Sequence, residues 1–534
     1  MKPEEESTDA GAELVTYECR LDRTALGNVL RTGAVIKENN VRRVLRGRVG
    51  EITVYAKLFK RRAKRARIEW DNTVRMAEKG LPVPRPLAVG RLAAEEFVVV
   101  EGIAGAAEII PSLRRARREL PPDEFLARKR RYLSAVGKLV RNVHDAGFFH
   151  GDLQGGNLLV DVADKIWLID LHRVRAERVS ERRRIRSLAR VVMAFRGVWT
   201  AGDEQSLLEG YGAPLVWRGP ILRGAERMIR KRFRSRTKRC LMNSSRFHVS
   251  RIGDCRVFHR REVAPEEMVK VAGMAGSKVR GAEDSREAGD AGCCESQRTD
   301  NVGVSERGRT GEARGSRGEQ LFVKRYKPGW RGILKATLGF GRGRNAWVAA
   351  NGLLARGIPT AEPKALVERW RWGLLVEAAL VTAKLDLMPL NRFVEETALG
   401  PSEKDELTVA LARFVRKLHD LGVYHNDLKG HNILVERRTD SDVPEDGGRW
   451  TFYLVDLDGL RFGRVSERRR LKNLAQLDVT VPDQLTAEHR RRFMAEYFGS
   501  DAPLDEYARR IARLQKGMTR WWKVRREARG ATKC

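Results

Sequence analysis

Apolar and polar residues alternate through Val41–Gly47 (VRRVLRG) and again through Glu51–Phe59 (EITVYAKLF), on either side of Arg48-Val49-Gly50. A two-residue period sends successive side chains to opposite faces, so the pattern predicts a β-hairpin turning at RVG. The period then lengthens. Lys64–Gly80 (KRARIEWDNTVRMAEKG) reads as a helix closed by its glycine and followed by a proline-rich link. Glu95–Gly102 (EEFVVVEG) reads as a buried strand, and after Pro122 a long helical pattern, FLARKRRYLSAVGKLVRNVHDAG, runs to Gly147.

The same order of patterns returns further on, as MVKVAG, EQLFVKRYK, NAWVAANGLLARG, WGLLVEAAL and ELTVALARFVRKLHDLG. Short strings return with it. LPVPRPLAVG (Leu81–Gly90) parallels IPTAEPKALV (Ile358–Val367), and HDAGFFHGDL from His144 parallels HDLGVYHNDL from His419. The copies are offset by roughly 275–286 residues, too far apart for a solenoid repeat, so the chain reads as a duplicated domain. The pattern divides it into an acidic N-terminal tail (1–20), a first domain (21–240) and a second domain (245–534). Between MVKVAG and EQLFVKRYK, a tract of about 275–318 has no aromatic residue and almost nothing aliphatic. With so little to bury, it cannot offset the entropy of ordering and is expected to be disordered. Its place corresponds to the hairpin turn of the first copy, where an insertion costs least.

Composition adds the class of partner. Of 534 residues, 104 are Lys or Arg and 70 are Asp or Glu, a net charge of +34. Such a field favours polyanions: nucleic acid, anionic lipid or phosphorylated molecules. No reading-helix, zinc-finger or RNA-module pattern accompanies it, so no specific nucleic acid is expected. The six cysteines have no disulfide or zinc-ligand spacing. The acidic MKPEEESTDAG start has no apolar core, and no run approaches the roughly 18–20 apolar residues of a membrane span. A soluble cytoplasmic chain, able to lie peripherally on the cytoplasmic face of an inner membrane, is the expectation.

The candidate chemistry lies in His150–Asp161 (HGDLQGGNLLVD) and its counterpart His425–Glu436 (HNDLKGHNILVE). Phosphoryl transfer from ATP needs an acceptor for the attacking hydroxyl's proton and oxygen ligands for Mg2+ on the nucleotide phosphates. A short loop can supply a base first, Asp152 or Asp427, and a ligating amide five residues on, Asn157 or Asn432. A second carboxylate follows at the end of a strand, Asp170 after IWLI and Asp456 after FYLV. Lys57 in YAKLF and Lys324 in FVKRY stand on strands upstream of a helix, where a cation could meet phosphates.

These motifs resemble the protein-kinase-like set of strand lysine, helix glutamate, HxDxxxxN loop and strand-ending aspartate. More narrowly, LHDLGVYHNDLKGHNILV, GIPTAEP and VSERRRLKNLAQL resemble the lipopolysaccharide kinase family of Kdo and heptose kinases. The resemblance implies an α+β fold of two tandem bilobal domains, each with a small β-rich lobe and a mainly helical lobe. It implies ATP and Mg2+ as cofactors and a sugar hydroxyl of a lipopolysaccharide-type glycolipid as acceptor. Glu69 is the partner implied for Lys57, whereas the aligned residue of the second copy is Ala346, leaving Lys324 without that carboxylate. Lys429 stands where a cation could steady the transferring phosphate, and the first copy has Gln154 there. Neither copy has a clear glycine-rich loop; IKENN and APEEM occupy the expected place. His150 and His425 are expected to orient the loop, and His144 and His419 to be satisfied core residues.

Two alternatives stay open at this point. One is a protein Ser/Thr or small-molecule kinase on the same fold, and the other a non-catalytic pseudokinase scaffold binding anionic membrane surfaces. The basic segments RGAERMIRKRFRSRTKR and ARRIARLQKGMTRWWKVRREARG, the latter with Trp521 and Trp522, fit either solvated helix faces or an interfacial helix.

Overall fold

The computed structural model describes residues 4–6, 13–60, 64–200, 202–274, 303–304, 310–315, 318–438, 448–499 and 501–530. The chain forms two compact units, Met1–Ile229 and Arg230–Cys534.

In the first unit the alternating patterns become a seven-stranded antiparallel sheet. Its order is Glu4–Glu6, Leu14–Cys19, Pro86–Leu92, Glu95–Glu101, Ile52–Phe59, Arg42–Val49, Ala34–Glu38. The predicted hairpin is present, with Val49 opposite Ile52 across Gly50, whose φ of +57° suits a residue without a Cβ. Ile52–Phe59 is flanked on both sides, so Lys57 lies opposite Val44 and Val98 inside the sheet rather than at an edge. One face of the sheet buries Leu45, Val54, Ala56 and Leu58 against Leu26 and Leu30 of the helix Arg23–Thr32. The other receives the helix Lys64–Glu78 through Trp70 and Ala66.

The helical lobe is built on Pro122–Asp145, whose apolar stripe of Leu133, Val136, Val140 and Val143 is almost fully buried. It crosses the helix Asp203–Tyr211 at two glycines. A Cβ on Gly210 would lie 2.2 Å from the carbonyl oxygen of Ser134, and one on Gly137 would lie 2.4 Å from that of Leu207. Because both neighbours are backbone, Gly210→Ala should push the helices apart and destabilise the fold by about 1–3 kcal/mol. A urea transition unchanged by that substitution would contradict the close crossing.

The second unit repeats the sheet in the same order: Phe247–Ile252, Cys255–Arg260, Pro363–Arg371, Leu374–Ala383, Gln320–Tyr326, Thr310–Arg314, Gly303–Val304. Its helical lobe packs on Pro401–Asp420. Both units are thus bilobal, a β-rich lobe followed by a mainly helical one.

Several expectations need correction. Leu14–Cys19 is not part of a tail, because it pairs with Pro86–Leu92 in the first sheet. MVKVAG is not a strand: Pro265–Val271 is a helix with proline at its first position and Glu266 and Glu267 in its first turn. Those start signals outweigh the β-branched valines. The neighbour of the Lys324 strand is instead Thr310–Arg314, Thr310 lying opposite Lys324, so this part of the supposedly disordered tract is ordered. Residues 275–302, 305–309 and 316–317 lie outside the described residues. The long insertion therefore falls between the helix Pro265–Val271 and Gly303–Val304, not in the hairpin turn. For the same reason APEEM is not the phosphate cover of the second unit.

Candidate functional site

Each HxDxxxxN loop is held by the same contacts. The amide N–H of Asp152 donates to His150 Nδ1 at 3.1 Å, and that of Asp427 to His425 Nδ1 at 3.2 Å. His425 can then donate only from Nε2, and it does so to the carbonyl of Val455 at 3.1 Å. The asparagines close the loop. Asn157 Nδ2 donates to the Asp152 carbonyl at 2.8 Å and Asn432 Nδ2 to that of Asp427 at 2.9 Å. With its nitrogen engaged, each amide keeps its oxygen as the atom that could ligate a metal ion or accept a hydrogen bond. Backbone bonds bring in the strand-ending aspartate: Ile169 N–H to Asn157 carbonyl, and Val455 N–H to Asn432 carbonyl, both 3.0 Å. Asp170 and Asp456, one residue on, are both left-handed, with φ of +69° and +55°. Non-glycine residues hold that conformation only where the surroundings impose it, and here the same motif imposes it twice.

The histidines of these loops and of the preceding helices are buried and neutral. His144 meets Tyr211 Oη at 3.0 Å and Ser187 Oγ at 3.1 Å; His419 meets Tyr497 Oη at 2.6 Å and Asn473 Oδ1 at 3.2 Å. Burial pushes His144, His150 and His419 from 6.5 down to about 4, and lowers His425. The unfolded chain takes up protons at these positions below about 6.5, while the folded chain resists until about 4. Stability is therefore expected to fall with pH through that window, by up to roughly 3 kcal/mol per histidine. Urea midpoints measured from pH 7 to pH 5 should decline; a flat profile would contradict neutral buried imidazoles.

In the first unit Lys57 Nζ is hydrogen-bonded to Glu69 Oε1 and lies 3.5 Å from Asp170 Oδ1. The implied Lys57–Glu69 pair is present, with Glu69 almost fully buried. Asp170 is heavily engaged. Arg42 grips both its oxygens, at 2.5 and 3.1 Å, and His172 Nδ1 is 3.0 Å from Oδ1. Burial, the largest influence, raises the Asp170 pKa, but hydrogen bonds from His172 and Arg42 and the charge of Lys57 outweigh it. The carboxyl is held well below the usual range.

The second unit reaches a similar arrangement with different residues. Lys324 Nζ donates to Asp456 Oδ1 at 2.6 Å and lies 3.3 Å from Asp458 Oδ1. Asp458 also receives Tyr326 Oη at 2.8 Å and Arg342 at 2.6 Å. Lys324 lacks the helix carboxylate, as expected from Ala346, but a different carboxylate, Asp458, anchors it. Where the first unit has Glu69 on the helix and His172 after Asp170, the second has Ala346 on the helix and Asp458 after Asp456. The carboxylate has moved from helix to loop. Burial raises Asp456 and Lys324 more than offsets it, so this carboxyl too is lowered.

The cation beside the candidate base is exchanged in the same manner. Lys429 Nζ lies 3.0 Å from Asp427 Oδ1. In the first unit Gln154 offers no charge, but Arg173 lies 3.2 Å from Asp152 Oδ2. Arg173 was not visible as a site residue from one motif. The signal was in comparing the copies: Gly151 and Arg173 in one stand for Asn426 and Gly459 in the other. A Cβ on Gly459 would come within 3.1 Å of the Asn426 Cβ, so each copy keeps one small partner at this contact.

A cavity of about 480 Å³ separates the lobes of the second unit. Lys324 and Asp456 stand on its wall, with Ala346, Leu380 and Thr382 from the β-rich side and Leu434 from the helical side. This size and mix of apolar wall and few charged groups suit a small organic ligand.

The sequence profile of the family described as "Lipopolysaccharide kinase (Kdo/WaaP) family" matches residues 28–211 and 297–497, more than half of the chain. The chain belongs to the lipopolysaccharide kinase (Kdo/WaaP) family. One curated relative is a 3-deoxy-D-manno-octulosonic acid kinase of Stenotrophomonas maltophilia (strain R551-3). It is 32% identical over 133 residues, 24% of this chain and 51% of that protein. Another, of the same name, from Photobacterium profundum, is 29% identical over 150 residues, 26% of this chain and 59% of the relative. The chain spans about half the length of the curated relatives it matches. A solved structure titled "WaaP in complex with acyl carrier protein" is similar at 26% identity, covering 37% of this chain and 87% of that one, with a TM-score of 0.31. Within this family, each of the two matched segments holds one HxDxxxxN loop and one strand-ending aspartate. Among the described residues no helix is long and apolar enough to cross a membrane.

Proposed function

We propose that the chain transfers the γ-phosphate of ATP to a sugar hydroxyl of a lipopolysaccharide-type glycolipid, Kdo or heptose, and that the second unit carries most of the turnover. One observation supports this above the rest: in the second unit a lysine and an aspartate share the wall of an interlobe cavity, with the asparagine-closed loop hydrogen-bonded directly behind that aspartate.

The donor set fits a magnesium ion, since the Asp456 carboxylate and the Asn432 amide oxygen are hard oxygen ligands with no sulfur among them. The chemistry such an ion supplies when bound is neutralisation of charge on the nucleotide phosphates. Asp427 accepts the proton of the attacking sugar hydroxyl as its oxygen bonds to the γ-phosphorus and the bridging oxygen leaves with ADP. Lys324, anchored by Asp458, meets the nucleotide phosphates, and Lys429 stands beside the base. The corresponding residues of the first unit are Asp152, Asn157, Asp170, Lys57 and Glu69, with Arg173 beside the base. There Arg42 occupies both oxygens of Asp170, so nucleotide and metal have to displace it, which favours the second unit as the faster site.

Labelled ATP supplied with purified core glycolipids carrying Kdo or heptose tests the reading. Label on the sugar is expected. Label on peptides or small aminoglycosides alone would instead favour the other kinases of this fold, and no transfer to any acceptor would favour a scaffold.

A further inference from the structure

The second unit carries a segment that the first does not. Lys57 and Glu69 are 12 residues apart, whereas Lys324 and the aligned Ala346 are 22 apart. The additional chain forms the helix Trp330–Lys335 and a π-helical turn, Ala336–Phe340. It is seated on the sheet: Ala336 is buried, and the Leu375 N–H donates to Thr337 Oγ1 at 3.0 Å. Its large apolar side chains nevertheless face solvent, with Trp330 79%, Leu334 66%, Leu338 65% and Phe340 70% exposed. On the strand turn next to Leu375, Trp372 is 95% exposed. Of fourteen exposed large apolar side chains among the described residues, six fall between Trp330 and Leu374. Scattered exposed leucines are ordinary, but a cluster of this kind marks a surface that something else covers.

The rim shows what covers it. Arg331, Lys335 and Arg371 are exposed around these side chains, and the Arg331 guanidinium lies 4.9 Å from the centre of the Trp330 ring. Tryptophan and phenylalanine ringed by cations suit the boundary between acyl chains and anionic headgroups. A second copy of the chain fits less well, since a two-fold contact would set this cationic rim against itself on a chain already at +34. We propose that the face formed by Trp330–Phe340 and the Trp372 turn docks the second unit on an anionic lipid bilayer. The proposal does not depend on phosphate transfer.

Co-flotation of the full chain with phosphatidylcholine vesicles, with and without phosphatidylglycerol, tests it. The wild type should float with the anionic vesicles, and Trp330→Ser/Leu334→Ser/Leu338→Ser/Phe340→Ser should lower the bound fraction at equal lipid by about tenfold or more. Arg331→Glu/Lys335→Glu should remove the preference for phosphatidylglycerol. Trp521→Ser/Trp522→Ser, in the C-terminal helix, should leave binding near wild type. Trp372→Asn guards against a folding artefact: it sits on an exposed turn at φ +48°, which asparagine tolerates. It should weaken binding about threefold with an unchanged thermal transition. The proposal is overturned if the wild type does not float, if the quadruple variant floats like the wild type, or if only the C-terminal variant loses binding. It is also overturned if the quadruple variant merely turns a dimer into a monomer on gel filtration while still floating.

Discussion

Asp427→Asn lowers sugar phosphorylation by the second unit by about a hundred- to ten-thousand-fold, leaving the full chain only the first unit's smaller share, whereas Asp152→Asn leaves most of the activity. That is the result expected if Asp427 removes the proton of the attacking hydroxyl and the second unit does most of the work. Asparagine keeps the shape of the side chain and, with it, the loop tied by Asn432 to the Asp427 carbonyl. Nucleotide binding should therefore survive while transfer is lost. The asymmetry comes from what faces the strand-ending aspartates: two arginine hydrogen bonds on Asp170, and a single lysine hydrogen bond on Asp456, whose side chain is 48% exposed. Single-turnover transfer by the two variants under the same conditions checks it. Equal losses from both would remove the division of labour, and no loss from Asp427→Asn would remove the base.

The second large effect concerns the lysine. In Asp458→Ala, Lys324 keeps Asp456 but loses the carboxylate that holds it from the other side, and Tyr326 and Arg342 lose their acceptor as well. Truncating one member of such a hydrogen-bonded charge cluster costs about 2 kcal/mol or more, roughly thirtyfold in affinity for ATP. A structural defect alone could weaken binding, so the decisive variant is the exchange. Ala346 lines the cavity, which leaves room for a longer side chain. Ala346→Glu in the Asp458→Ala background should recover most of the lost affinity, whereas Ala346→Glu alone should gain little. Failure of the double variant to recover would show that Asp458 acts otherwise than by anchoring Lys324.

Much of this site was legible because its parts are close in sequence. The base and amide lie five residues apart on one loop, and their repetition in a second copy separated them from an accidental HxD. The α+β architecture followed from strand-like text giving way to helical text, twice. The missing parts are those that form only when distant segments meet. Asp458 reaches Lys324 across 134 positions, and Arg42 reaches Asp170 across 128. Thr310–Arg314 (TGEAR) has little strand propensity, and becomes a strand because Gln320–Tyr326 offers it a ladder. Conversely, the valines of MVKVAG suggested a strand where Pro265 and two glutamates begin a helix. Arg173 needed a comparison between copies, because a charge lost at Gln154 reappears nineteen positions later in the chain but beside the same carboxylate.

Calorimetric titration of the full chain with ATP, with and without magnesium, bears most directly on the cavity between Lys324 and Asp456. Magnesium-dependent binding in the wild type that loses its tighter component in Asp456→Ala, leaving at most the weaker site of the first unit, is the predicted result. Binding that persists unchanged in Asp456→Ala, or no binding to the wild type at all, would contradict a nucleotide site there.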